Sequence, residues 1–346
     1  MKELADYMNA SRKKVGKEFV EDDFIPVFTL EIYSVAMRDK VIEMSNKMLS
    51  NKKKAYPDME NLLNALIAFP KSGRIESDFN EWMDVLTLFV ESKKHRKHFA
   101  SFLGNSATLF ENNIFYSTNA VSWRSSSNQY MFDFDSLPKV IFPKLNLVCE
   151  SKGDSSVIYN TQGIYFPTLD RWFGEGGKVT WMRADFDSAT TYCEFDNYKI
   201  RTKGSSYIVD SVRFYTEFFS EPLIGQLNEK VLANKTGDKA SYPRFESYSR
   251  RLQIQNIFKN VDYEGGFTMA GNRLAGTGTV EEPAVLIFKR EQDEFLTAKS
   301  LEFSIRPGRI SSQQTGVLIR IDTDSITHPE VTMKFDRESR QVVLIR

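Results

Sequence analysis

An excess of either charge sign is missing: Lys plus Arg and Asp plus Glu each number 46 in 346 residues. Nothing therefore drives the whole chain onto nucleic acid or anionic lipid, so nucleic acid is set aside as a partner and only a local patch stays open. Cysteine is nearly missing as well, since Cys149 and Cys193 are too few for a disulfide framework or a cysteine-based zinc site. Both sit in apolar runs, LNLVCE and TYCEF, and read as small buried thiols, with one inter-strand disulfide as the other option. The histidines are His95, His98 and His328. His95 and His98 stand at i, i+3, but Lys93, Lys94, Arg96 and Lys97 surround them and would repel a cation. That run reads as a solvated basic helix end. His328, in TDSITHPEV, reads as part of an exposed turn with no second ligand beside it. Neither a metal nor a cofactor is expected.

Long apolar runs are lacking too. No segment approaches the roughly 20 apolar residues of a membrane span, and MKELADYMNASRKKVGKEF has no apolar core of the kind a signal peptide carries. The chain as written reads as soluble and unexported. FDRESRQVVLIR, however, stops on the last residue of an expected strand, which suggests a piece of something longer. Location follows from that choice: periplasm or cell surface for a fragment of an exported parent, cytoplasm for a complete chain.

What is present is a change of period. Met37, Val41, Met44 and Met48 form one helical stripe, and Met59, Leu62, Leu63, Leu66 and Ile67 form a second that Pro70 and Gly73 stop. A third helix begins near Ser77 or Asp78, with Glu81 completing a capping box, and turns Phe79, Trp82, Met83, Leu86, Phe89 and Val90 inward. KKHRKH with Phe99, Phe102 and Leu103 suggests a short fourth. After about residue 112 short runs of alternating or apolar residues follow one another to the end, broken by Ser, Asn, Gly and Pro. The expected fold class is α+β, mainly β: a small N-terminal helical bundle over 1–110, then an extended antiparallel β region over 111–346, built as stacked meanders, a sandwich or a solenoid. A helix is expected between Pro222 and Ala233, where Leu223, Ile224, Leu227, Val231 and Leu232 share a face; with the loop after it, it would divide the β region near 222–245. Asp-Ser recurs at 135, 154, 187, 210 and 324, and reads either as the mark of a repeated corner or as chance in a Ser-rich chain.

One stretch invites an enzyme claim. WFGEGGKVTW, Trp172 to Trp181, holds three glycines, a lysine and a threonine, yet a P-loop would need glycine at Trp172 and a hydroxyl at Val179. The dinucleotide fingerprint fails as well, because Val179 replaces its third glycine and a strand follows instead of a helix. A structural turn feeding a strand is the better account, with a ligand-binding loop that stacks aromatics as the alternative. The second glycine group, VDYEGGFTMAGNRLAGTGTVEEP, reads as twisted or bulged strand. No Gly-x-Ser-x-Gly elbow occurs, and no catalytic residue is assigned. Asp185, Asp187, Glu194 and Asp196 are the candidate acids for sugar chemistry. Trp172, Trp181, Asp185 and Asp187 are the candidate ligand-binding residues, with rings to stack on a sugar and acids beside them.

The order helical segment, NNIFYSTNAVSW, LVCESKGDSSVIYNTQGIYFP, GEGGKVTW, YIVDSVRF, VDYEGGF and DTDSITHPEVTMKF resembles a segment of large envelope-associated β-repeat proteins of Bacteroides-type bacteria. The resemblance implies an exported, longer parent with many stacked β units, an envelope or surface location and a scaffolding or binding role. It supplies no catalytic residues. The expectation is a non-catalytic structural or binding segment whose partners are other envelope proteins, glycan or lipid. A carbohydrate-binding or glycoside-hydrolase-like module is the alternative, and an apolar groove for lipid a third.

Overall fold

Helices come first and a long antiparallel succession of strands follows in the computed structural model, which describes residues 2–11, 15–232, 236–290 and 293–346. The chain divides into two units, Met1–Gly177 with Asn197–Ser205, and Lys178–Asp196 with Ser206–Arg346.

In the first unit, the helix Val35–Ser50 starts where the Ser34 hydroxyl accepts a hydrogen bond from the Met37 amide at 3.2 Å, and it buries the expected stripe Met37, Val41, Met44 and Met48. The helix Glu60–Ala68 buries Leu62, Leu63 and Leu66, while Ile67 is only half-buried. The next helix, Glu76–Glu91, begins earlier than expected. Asp78 is not its cap but its third residue, and its carboxylate accepts from the Ile75 amide at 3.2 Å, so Glu81 is not needed to close the first turn. All six residues expected inside are buried there. The fourth helix is longer than KKHRKH suggested: Phe99–Asn112, ended by Asn113 in the left-handed region at φ 58°.

These helices share their core with the first strands. Phe132 meets Phe102 and Phe110 at centroid distances of 6.0 and 5.8 Å, and the buried Arg74 donates to the carbonyls of Asn128 and Tyr130 while lying over the Tyr130 ring. The strands are β1 (Ile114–Ser117), β2 (Ser122–Ser125), β3 (Met131–Phe134), β4 (Pro138–Ser151), β5 (Asp154–Phe166) and β6 (Arg171–Glu175). After β7 (Lys178–Thr180) and β8 (Tyr192–Glu194) in the second unit, β9 (Asn197–Arg201) returns to pair with β6. The resulting order is β1–β2–β4–β5–β6–β9, with β3 beside the start of β4.

The second unit continues with β10 (Ser206–Tyr215), β11 (Leu223–Lys230), β12 (Arg244–Ser247), β13 (Leu252–Phe258), β14 (Val261–Ala270) and β15 (Arg273–Thr277). Then come β16 (Ala284–Arg290), β17 (Asp293–Ser300), β18 (Glu302–Arg306), β19 (Arg309–Ile321), β20 (Asp324–Asp336) and β21 (Gln341–Ile345). The segment expected to be a helix from Pro222 is therefore the strand β11, paired with β10 and β12; Ala233, at its expected end, lies outside the described residues. Leu223, Leu227 and Val231 are spaced by four, which places them on one face at either period. Burial of Leu223, Gly225, Leu227 and Glu229 in alternation shows that the period is two.

Strand register shows a single meander with a crease across it. β12 and then β13 pair along one edge of β14, and β15 and then β16 along its other edge. β17 and β18 continue each other past Leu301 and lie between β16 and β15 on one side and β19 on the other. Residues 248–251, 278–283 and Leu301 thus separate the halves of three strand lines at the level of Gly265–Gly266, where β14 changes partners, and of Gln313–Gln314, where the β19–β20 register shifts. Extra residues in a strand bend it, and breaks at one level in neighbouring strands fold the whole sheet. Phe335, below the crease, accordingly meets Phe288 at 5.3 Å and Phe258 at 5.9 Å, both from above it. The second unit is a sandwich made by doubling one sheet over.

The five Asp-Ser pairs mark no common corner. Asp154 and Asp324 open strands after two-residue turns, Asp135 lies in a bend, Asp187 in a turn, and Asp210 precedes a bulge at Ser211, φ 57°.

Candidate functional site

WFGEGGKVTW is built for packing. Gly163 and Gly174 face each other across β5 and β6. A Cβ on Gly163 would lie 2.5 Å from the Trp172 ring, and one on Gly174 would lie 2.1 Å from the Tyr198 ring, so both glycines are there because an aromatic ring occupies the space above them. Gly176, at φ 66°, and Gly177 follow β6 and lead to Lys178, where the second unit begins. They close no hairpin, since β6 pairs with β5 and β9, and β7 with β8. Lys178 sits 3.6 Å from the centroid of the Tyr192 ring, a cation–π contact on its own strand pair.

Trp172 and Trp181 are both fully buried, each in its own unit. Trp172 stacks on Phe115 at 5.7 Å, and Trp181 meets Phe214 edge-on at 4.9 Å. Neither ring presents a face to solvent on which a sugar could stack. Asp185 and Asp187 are exposed and shape turns: Asp185 ends the 3-10 turn Met182–Ala184 at φ 63°, and Asp187 accepts from the Ala189 amide at 2.8 Å. Asp196 forms a two-pronged pair with Arg213, 3.0 Å on each prong, and those hydrogen bonds hold its carboxyl below the usual range. Glu194 is half-buried on β8. Among the described residues no group of His, Cys, Asp and Glu could hold a metal. His98 is held below the ordinary histidine range, by burial first and then by Lys97.

Cys149 and Cys193 form no disulfide, and both are buried. Burial, and secondly the nearby Glu229, push the Cys193 thiol well up, which makes it an inert thiol and not a nucleophile. Glu229 is itself inside the second unit, accepting from Arg183 at 2.8 Å and from the Lys230 amide at 2.8 Å. No family model, no curated protein and no solved structure matches the chain.

The concave places that folding the sheet creates were not visible in the sequence. At the crease, the looped-out segments 248–251 and 278–283 flank Gly266 and line a cleft of about 640 Å3. Gly278 allows the second loop to close on itself, because a Cβ there would lie 2.1 Å from the Ala284 amide nitrogen. The cleft carries Glu246, Glu281 and Glu282 with several hydroxyls, and Tyr248, half exposed, is fixed there by the Ser211 amide at 3.1 Å and Asp210 at 3.3 Å.

Away from the crease, the free ends of the two layers enclose a second cavity of about 240 Å3. Its floor is Ile257, Met269, Leu274 and Ile305, all buried, and its walls are Phe186, Phe218 and Phe258, all half-buried. The rim carries Lys259, Arg306, Arg337 and Glu217. Strand ends place the three cations: Lys259 at the β13–β14 turn, Arg306 at the end of β18, Arg337 just after β20. The Arg306 guanidinium donates to the Asn272 side chain at 2.6 Å, and Arg337 donates to the Pro307 carbonyl at 3.0 Å. An apolar floor with a few convergent polar groups is the usual form of a small-molecule site.

Proposed function

We propose that this chain is a non-catalytic binding segment, and that the cavity between the layers of the second unit is its binding site. The observation that carries this reading is the apolar floor of four buried side chains left open to solvent under a polar rim. Open apolar space loses contacts that a well-packed sandwich would make, so an occupant gains what the fold gives up. That the segment belongs to a larger bacterial envelope or surface protein rests on the phrases of sequence quoted above, and a scaffolding role for the first unit goes with it. The test is a titration with neutral 3-phenylpropanamide read on the labelled methyl groups of Met269, Ile257, Ile305 and Leu274. Shifts confined to those methyls support the reading; unmoved methyls at millimolar ligand sink it.

A carbohydrate-binding reading has one specific observation in its favour, the fixed and half-exposed Tyr248 ring beside the carboxylates of the crease cleft. A glycan array probed with the wild type and with Tyr248→Ala decides it. Binding that disappears in a folded variant would move the site to the crease.

A further inference from the structure

The rim of the cavity also says what kind of molecule belongs in it. Three of its four charged side chains are cations, in a chain whose charges otherwise balance at 46 to 46. The bias is therefore local to the rim. A guanidinium at the mouth of an apolar hollow satisfies a carboxylate with two parallel hydrogen bonds, a geometry that neither an amide nor an amine can accept. Size limits the rest: an apolar cavity of about 150 Å3 holds benzene, so about 240 Å3 holds a ring with a short chain or an acyl chain of similar bulk.

From these observations, and resting on the binding reading above, we infer that the cavity takes a small amphipathic carboxylate, its apolar body on Met269, Leu274 and Ile305 and its carboxylate between Arg337 and Lys259. Arg306, already held by Asn272, keeps that side of the rim positive without having to move. Glu217 gives the site its selectivity, because it repels a second acidic group and so favours monoacids over diacids.

The experiment compares 3-phenylpropionate with 3-phenylpropanamide on the same labelled methyls. The carboxylate is expected to bind with a dissociation constant on the order of a millimolar or tighter, and about tenfold tighter than the amide. Arg337→Met with Lys259→Met, two exposed side chains whose loss leaves the floor intact, is expected to remove that difference by weakening the carboxylate about tenfold more than the amide. Phenylsuccinate, a diacid, is expected to bind more weakly than 3-phenylpropionate. If amide and carboxylate bind equally, or if the double variant keeps the preference, the carboxylate inference is wrong while the binding site stands. If neither moves the methyls, the binding reading fails and this inference with it.

Discussion

The two units spend their aromatic residues differently. In the first, rings run through the core: Phe69, Phe79, Trp82 and Phe110 meet edge to face, Trp172 stacks on Phe115 and meets Phe142 at a tilt, and Gly163 and Gly174 lie where rings press on the backbone. In the second, a sheet folds at a crease, and the aromatics cluster near β10, β12 and β14 as Phe214, Phe245 and Phe267. The far ends of its layers stay apart enough to leave a cavity. The first unit has an open cleft of about 580 Å3 beside the β1–β2 and β4–β5 turns, lined mainly by polar residues such as Ser117, Thr118, Glu150 and Ser155, whereas the second unit's cavity is floored by buried apolar side chains. The binding reading proposed above rests on that difference in lining.

Substitutions can break that contrast. Trp172→Ala should have the largest effect, lowering the stability of the first unit by about 3–5 kcal/mol, because the neighbouring rings cannot collapse into the vacated volume. Denaturant unfolding followed by ring fluorescence would show it, and a loss below about 1 kcal/mol would mean that the unit is loosely packed. Gly174→Ala tests the same packing from the other side: its Cβ would strike the Tyr198 ring, at a cost of about 1–3 kcal/mol. In the second unit Leu274→Ala should cost only about 2 kcal/mol, the low end for a buried leucine, since one side of it already faces open space. A cost above about 4 kcal/mol would mean that the cavity is closed in solution. Arg337→Met should change stability by less than about 0.5 kcal/mol, because the side chain is exposed.

Periodicity made the helices of the first unit legible in the sequence, since a stripe such as Met37, Val41, Met44 and Met48 has one simple reading. It failed at Leu223–Lys230, where a spacing of four satisfies both periods and the interior Gly225 was the only local hint of a strand. The crease was half legible. The glycines of VDYEGGF marked the place, since Gly265–Gly266 lie where β14 changes partners, but nothing local says that neighbouring strands break at the same level, because register belongs to pairing and not to any one segment. The cavity follows from the same fact. Lys259, Arg306 and Arg337 lie 31 to 78 residues apart and become neighbours only once the sheet doubles over. For the tryptophans, ring content marks strands but burial decides whether a ring packs or binds, and Trp172 and Trp181 are both inside, in keeping with the structural-turn reading and not with its ligand-stacking alternative.

The smallest expected effect comes from the Asp196–Arg213 pair at the edge of the second unit. Hydrogen bonds from Arg213 hold the folded-state pKa of Asp196 below its ordinary 3.8. A depressed carboxyl contributes its stability above the unfolded pKa, and the contribution is lost as pH falls through the folded value, so the window lies below about pH 3.8. Asp196→Asn should therefore lower stability slightly near neutral pH and flatten the acid limb of the stability curve below that point. The pair is solvent-exposed, so moderate salt should erase most of the difference. Thermal melts of wild type and variant from pH 3 to pH 7, at low and high salt, check both statements. An acid limb unchanged by the substitution would mean that the carboxylates controlling acid unfolding lie elsewhere, with the buried Glu229 beside Arg183 the next to replace.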